Sequence, residues 1–276
     1  MQKGSIGVFD SGYGGLTVLR SLVKLLPDYD FIYLGDNARA PYGTRSFDTV
    51  YRYTRECVDW LFKQGCPLVI LACNTASAKA LRTIQQKDLS SYESYKRVLG
   101  VIRPTAKTIG NYSQSGRIGI LATPGTVASD SYPIEIGKFF PGVAVRQQSC
   151  PLWVPLIENN SYNNEGADYF IKDCVDQLMQ QDPQIDTVLL GCTHYPIIRE
   201  KIRSHLPDQV QLISQGDIVA ESLQDYLERH PDMEQRISKK GDYTFYTTDN
   251  PADFEAHAPI FYGTSVHAGH AEVKST

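Results

Sequence analysis

Twice in this sequence a continuous apolar run ends in a small residue, a cysteine and two polar residues. The first is Leu-Val-Ile-Leu-Ala-Cys-Asn-Thr from Leu68 to Thr75, and the second is Val-Leu-Leu-Gly-Cys-Thr-His from Val188 to His194. A strand that is apolar at every position is buried on both faces, the condition of a parallel sheet covered by helices. The rest of the chain keeps the same alternation. Ser5–Asp10, Asp30–Gly35, Arg97–Ile102, Arg117–Ala122 and, more weakly, Ala144–Gln147 read as strands. Leu16–Leu26, Ser46–Gln64, Ala76–Gln86, Pro104–Tyr112, Glu165–Gln180 and Pro196–Leu206 read as helices. In Ser46–Gln64 the apolar residues Val50, Val58, Leu61 and Phe62 share one face, Ser46 can cap the start, and Gly65 stops it. Strand–helix alternation predicts an α/β fold with parallel sheets. The repeated ending predicts two related α/β domains, which suits 276 residues at about 150 per domain.

Ligands of open parallel sheets bind beyond the carboxyl ends of the strands. Cys73 and Cys192 stand at two such ends, each before a helical pattern. A helix N-terminus carries about half a positive charge. That field is expected to favour thiolate and to pull a thiol below its free pKa of ~8.5. Asn74 and Thr75 follow the first cysteine, and Thr193 and His194 the second, supplying polar groups at the same place. The other cysteines, Cys57, Cys66, Cys150 and Cys174, read as small buried apolar residues. In a long chain with no export signal at Met1–Gly7, all six are expected to be reduced.

Asp10-Ser11-Gly12-Tyr13-Gly14-Gly15 follows the first strand and opens a helix, and Asp36 ends the second strand. This resembles a dinucleotide fingerprint, with Asp36 placed for a ribose hydroxyl, but Thr17 stands where the last glycine belongs. Asp10 also suits an ammonium group better than a pyrophosphate. Ala40-Pro41-Tyr42-Gly43 forms a loop beyond a strand end, able to offer N–H groups and the Tyr42 hydroxyl. Glu158 reads as a solvated acid and Lys79 as a solvated helix lysine. Cys192 and His194 are too few for a zinc site, so no metal is expected. A net charge of −4 excludes a basic nucleic-acid footprint over the whole chain. No apolar run reaches the ~20 residues of a membrane span.

Five segments in order, Ile6–Leu19, Tyr33–Gly43, Leu71–Ala78, Gly119–Tyr132 and Leu189–Pro196, resemble the glutamate racemases of the cofactor-independent aspartate/glutamate racemase superfamily. The resemblance runs from Gly4 to about Gly263. It implies two flavodoxin-like domains related by pseudo-symmetry, with the active site in the cleft between them. The C-terminal strands would return to the first domain. The expected division is 1–98 plus 210–262, then 99–209, with 263–276 a mobile tail. The resemblance further implies a cytoplasmic enzyme, commonly a homodimer, that uses no cofactor and supplies D-glutamate for peptidoglycan. Cys73 would take the α-proton from D-glutamate and Cys192 from L-glutamate. Asp10 would meet the ammonium group and polarise the first base. His194, supported by Glu158, would do the same beside Cys192. Ser11, Tyr42, Gly43, Asn74, Thr75 and Thr193 would bind the carboxylates and amine. Ser214-Gln215-Gly216 departs from the family, which often has an acidic residue there, and is read as structural. A racemase of aspartate or another amino acid, a nicotinamide-dependent oxidoreductase and a non-catalytic amino-acid sensor are the competing readings.

Overall fold

The computed structural model describes residues 3–274. Its strands, in chain order, are β1 (Ile6–Asp10), β2 (Phe31–Gly35), β3 (Leu68–Leu71), β4 (Arg97–Gly100), β5 (Arg117–Ala122), β6 (Ala144–Ser149), β7 (Thr187–Gly191), β8 (Gln211–Ile213), β9 (Tyr243–Thr247) and β10 (Ala268–His270). They form two sheets, ordered β10-β9-β2-β1-β3-β4 and β6-β5-β7-β8. All the ladders are parallel. The core of the first sheet, β2-β1-β3-β4, has the same order as the whole second sheet, β6-β5-β7-β8. The cysteine repeat therefore reflects a repeated topology, in which β3 corresponds to β7 and β1 to β5. As their composition requires, β1, β3 and β7 are buried at every residue.

Three expectations about boundaries are corrected. The division after residue 98 would cut β4, which pairs with β3 from Leu68↔Arg97 to Leu71↔Gly100 and lies wholly in the first sheet. No turn-rich linker marks the change of domain there; the helix Ile102–Thr108 follows β4 after a single residue. The assignment of residues from 210 to the first domain is also early. β8 pairs with β7 in the second sheet, and the chain returns only with the helix Gly216–Arg229, which packs on Leu16–Leu25. Finally, 263–276 is not simply a mobile tail. β10 continues the first sheet beside β9, with Ala271 buried behind it, although residues 275–276 lie outside the described part. The small residues that suggested a tail are needed for packing. A Cβ on Gly269 would meet the Tyr246 ring at 2.9 Å.

Several helices stand where no strong periodicity announces them, among them Pro124–Ala128, Ser131–Phe139, Trp153–Glu158 and Pro251–Tyr262. The expected helix Ala76–Gln86 is instead Asn74–Lys79, followed by a short α-helical turn at Leu81–Thr83 and a wider π turn through Asp88. Phe47–Lys63 is as expected: Ser46 accepts the Thr49 N–H at its start, and Gly65 ends it at φ +88°.

Candidate active site

In both sheets the central strand is the point where the connections switch direction, so a crevice opens beyond its carboxyl end. β1 delivers Asp10 and Ser11 to that crevice, and β5 delivers Thr123. The neighbouring strands β3 and β7 deliver Cys73 and Cys192. Ser11, Thr123, Cys73 and Cys192 line one cavity of ≈ 80 Å³ between the two lobes. Around it stand Tyr42, Gly43, Asn74 and Thr75 from the first lobe. Glu158, Thr193 and His194 close it from the second. Of the residues expected in the site, Asp10 alone is not among those lining the cavity. It lies directly behind, fully buried, with its carboxylate accepting the Gly12 N–H at 2.9 Å and facing the Thr193 hydroxyl at 3.5 Å.

The two cysteines are set up differently. Cys73 caps the helix Asn74–Lys79, with its sulfur accepting the Ala76 N–H at 3.4 Å and lying 3.5 Å from Ser11 Oγ. The expectation that a helix start lowers this thiol is not met. Burial, then the charge of Asp10, outweigh the Ser11 and Ala76 contacts and push Cys73 up to about 12. Cys192 does not cap an α-helix. A 3₁₀ turn, Tyr195–Ile198, follows it, and the helix proper begins at Arg199. Its local cation is instead His194, whose Nδ1 lies 3.9 Å from Cys192 Sγ and whose Nε2 lies 2.9 Å from Glu158 Oε1. Burial opposes a charge on the imidazole, but Cys192 and Glu158 together prevail and raise it to about 10. Glu158 is thus an oriented partner and not a free surface acid. Burial also raises the Asp10 carboxyl, against His194 and the N–H groups of Gly15 and Gly12.

The glycine motif is explained by packing between the lobes. A Cβ on Gly14 would fall 2.3 Å from Thr193 Oγ1 and 2.4 Å from His194 Nδ1. Only glycine lets the first lobe approach the second this closely. Thr17, in the place of the missing glycine, puts its hydroxyl 2.9 Å from the Thr193 carbonyl across the same junction. Asp36 is held by Arg39, Tyr42 and Thr248, which removes the support for a ribose-binding acid. Tyr42 lines the cavity, but its hydroxyl donates to Asp36, so it contributes its ring and backbone rather than the expected polar tip.

Other residues enter from outside the expected set. Thr123 shares hydrogen bonds with Thr75 at 2.9 Å and Thr126 at 3.1 Å, joining the lobes at the cavity floor. Its signal was its place after β5, the counterpart of Ser11 after β1. Cys150, read as a packing residue, is buried and also lines the cavity. Asn74 Oδ1 accepts the Tyr132 hydroxyl hydrogen at 2.6 Å, while its buried amide nitrogen finds no hydrogen-bond partner among the described residues. An unpaired buried donor is costly unless a ligand takes it.

Residues 6–223 match the model of the Asp/Glu/Hydantoin racemase family. A glutamate racemase of Geobacter metallireducens is 39% identical over 250 residues, covering 91% of this chain and 89% of that protein. One from Jannaschia sp. is 42% identical over 267 residues, covering 93% and 96%. Among solved structures, glutamate racemase isoform RacE1 of Bacillus anthracis superposes with a TM-score of 0.89 at 30% identity over 99% of both chains. The Francisella tularensis glutamate racemase in complex with D-glutamate gives 0.87 at 32% identity over 100% of both. With two parallel-sheet lobes, a cysteine from each at one cavity and this likeness along nearly its whole length, the chain belongs to the Asp/Glu/Hydantoin racemase family and, within it, to the glutamate racemases.

Proposed function

We propose that the protein interconverts L- and D-glutamate by a two-base mechanism using Cys73 and Cys192, and so supplies D-glutamate for peptidoglycan in the cytoplasm. The observation that carries this reading is that Cys73 and Cys192, at matching strand ends of the two lobes, line a single small cavity. Inversion at the α-carbon without a cofactor needs a base on one face and an acid on the other, their roles reversed in the reverse direction. A pseudo-symmetric pair of thiols at matching strand ends meets that need. Cys192 takes the proton from L-glutamate while Cys73 donates to the opposite face; the reverse reaction begins at Cys73.

The resting state is asymmetric. Cys73 is held as a thiol, ready to donate. Imidazolium at His194 stabilises negative charge as it develops on the Cys192 sulfur. When D-glutamate binds, its ammonium offsets the Asp10 charge that disfavours the Cys73 thiolate. The α-carbanion has no pyridoxal ring to drain into, so fixed dipoles must stabilise it. The Asn74 amide and the Thr75 and Thr193 hydroxyls stand ready at the cavity for that task. A carboxylate-rich substrate gets no help from a net charge of −4, which places this burden on local donors.

Incubation with L-glutamate in D₂O, without pyridoxal phosphate, tests the proposal. Deuterium should enter the α-position while the optical rotation decays. Retention of the α-proton with tight glutamate binding would leave only a sensor, and turnover confined to aspartate would move the substrate assignment. Cys73→Ser and Cys192→Ser should each abolish racemisation with the circular dichroism spectrum unchanged, because a serine hydroxyl is a far weaker acid and a poorer base.

A further inference from the structure

Asn74 is held by a buried hydrogen-bonded chain that begins at Thr105, on the helix Ile102–Thr108. The Thr105 hydroxyl donates to the Val101 carbonyl at 2.9 Å, a partner that can only accept. Thr105 Oγ1 must then accept from its other neighbour, Gln215, whose Nε2 lies 3.0 Å away. This turns the Gln215 amide so that Nε2 also donates to the Tyr132 hydroxyl oxygen. Tyr132 in turn has only its own hydrogen to give, and Asn74 Oδ1 takes it at 2.6 Å. Each step fixes the next, because a hydroxyl has one hydrogen and an amide has distinct donor and acceptor ends. Thr105, Tyr132, Gln215 and Asn74 are all buried, so water does not offer an alternative partner. At the end of the chain only Asn74 Nδ2 is left over, buried and unpaired at the wall of the cavity.

We infer that Gln215 and Tyr132 are positioning residues: through Asn74 Oδ1 they lock the Asn74 amide with its N–H₂ toward the substrate. This deepens the proposed racemase reading and rests on it. Asn74 then reads an oxygen of the substrate, a carboxylate and not the ammonium. Because Tyr132 lies on the second lobe and Asn74 on the first, the donor is presented correctly only when the lobes are engaged. Gln215, outside the cavity and in a segment that seemed merely structural, sets the polarity of the whole chain.

The test is steady-state kinetics in both directions on Gln215→Glu, Gln215→Met, Tyr132→Phe, Asn74→Ala and the doubles with Asn74→Ala, beside the unmodified protein. A carboxylate at 215 can only accept. It takes the Tyr132 hydrogen, turns the Asn74 amide over and points Oδ1 at the substrate. Gln215→Glu should therefore raise KM for glutamate by about tenfold or more, the loss expected for a hydrogen bond to a charged group, with a smaller change in kcat. Gln215→Met and Tyr132→Phe, which merely unlock the amide, should show smaller rises in KM. In the Asn74→Ala background none of the three should cost anything further. An unchanged KM, or losses that add in full to Asn74→Ala, overturns the inference. A second readout does not depend on turnover. The side-chain ¹⁵NH₂ signals of Asn74, assigned by their disappearance in Asn74→Ala, should move in Gln215→Met and Tyr132→Phe. If they stay in place the positioning role fails, whereas an unmodified protein that exchanges no α-proton defeats the racemase reading alone.

Discussion

At the scale of single residues, the site sets two thiols of equivalent topology in different electrostatic surroundings. Cys73 has a carboxylate behind it and Cys192 an imidazole beside it. The carboxylate raises the Cys73 thiol, so Asp10→Asn is expected to move the pH midpoint of Cys73 alkylation downward, read by mass spectrometry of the labelled peptide, while racemisation falls with the loss of the proposed ammonium partner. A midpoint that stays or rises would show that Asp10 does not act on this sulfur. His194 gives a second titration. Its folded pKa of about 10 lies above the ~6.5 of an unfolded histidine. A group raised in this way stabilises the fold fully below the unfolded value and loses that contribution as pH rises through the folded one. Glu158→Gln removes one of the two partners and should lower the His194 value, so the difference in Tm between the two proteins should be greatest near pH 6.5 and shrink toward pH 10. A difference independent of pH would mean that Glu158 packs against the ring without stabilising its charge.

At the scale of elements, two glycines carry opposite burdens. Gly65 ends the helix Phe47–Lys63 at φ +88° with nothing within 4 Å of where a side chain would go. Gly65→Ala should cost about 1 kcal/mol through backbone strain alone, seen as a lower urea midpoint at unaltered kcat/KM. Gly14 has no such torsion, but its missing side chain is the space occupied by Thr193 and His194. Gly14→Ala should wedge the lobes apart at the cavity and lower kcat/KM by about 10²-fold, the loss that follows a misplacement on the ångström scale; an active Gly14→Ala protein would mean that the lobes close by another route. Both glycines were visible in the sequence, but only Gly65 showed its reason there, because a helix stop is local. The need at Gly14 arises from residues about 180 positions away. The same division runs through the site. Cys73 and Cys192 could be found because buried strands announce their own ends. Thr123 carries the same signal by its place after β5, but the Tyr132–Gln215 chain has none, since its members are brought near Asn74 only by the approach of the two sheets.

For the whole molecule, parallel sheets read well from sequence in their interiors and poorly at their edges. β1, β3 and β7 are buried throughout and mostly apolar, because helices cover both faces. An edge strand is short, half-exposed and paired on one side, so its composition resembles that of a loop. β8, with three residues, reads from sequence as part of the first lobe but pairs with β7 in the second, and β10, also with three, reads as a tail but pairs with β9. Yet β10 is held in register by Phe245, Tyr246 and Thr247, the Ala271 N–H donates to the Thr247 carbonyl at 2.8 Å, and Val266 and Ala271 are buried. Ending the chain after Gly263 would uncover the β9 edge and remove those contacts. A buried valine, a buried alanine and the lost main-chain hydrogen bonds amount to about 3 kcal/mol. For a chain of this size that lowers Tm by roughly 6–12 °C. No described residue beyond Gly263 lines the cavity, so kcat/KM at 25 °C should hold within about twofold while the exposed edge promotes association at high concentration. Calorimetry and light scattering on the shortened chain decide the matter: an unchanged Tm would return residues 264–274 to the status of a tail, and a lost activity would connect the far edge of the sheet to the closure of the lobes.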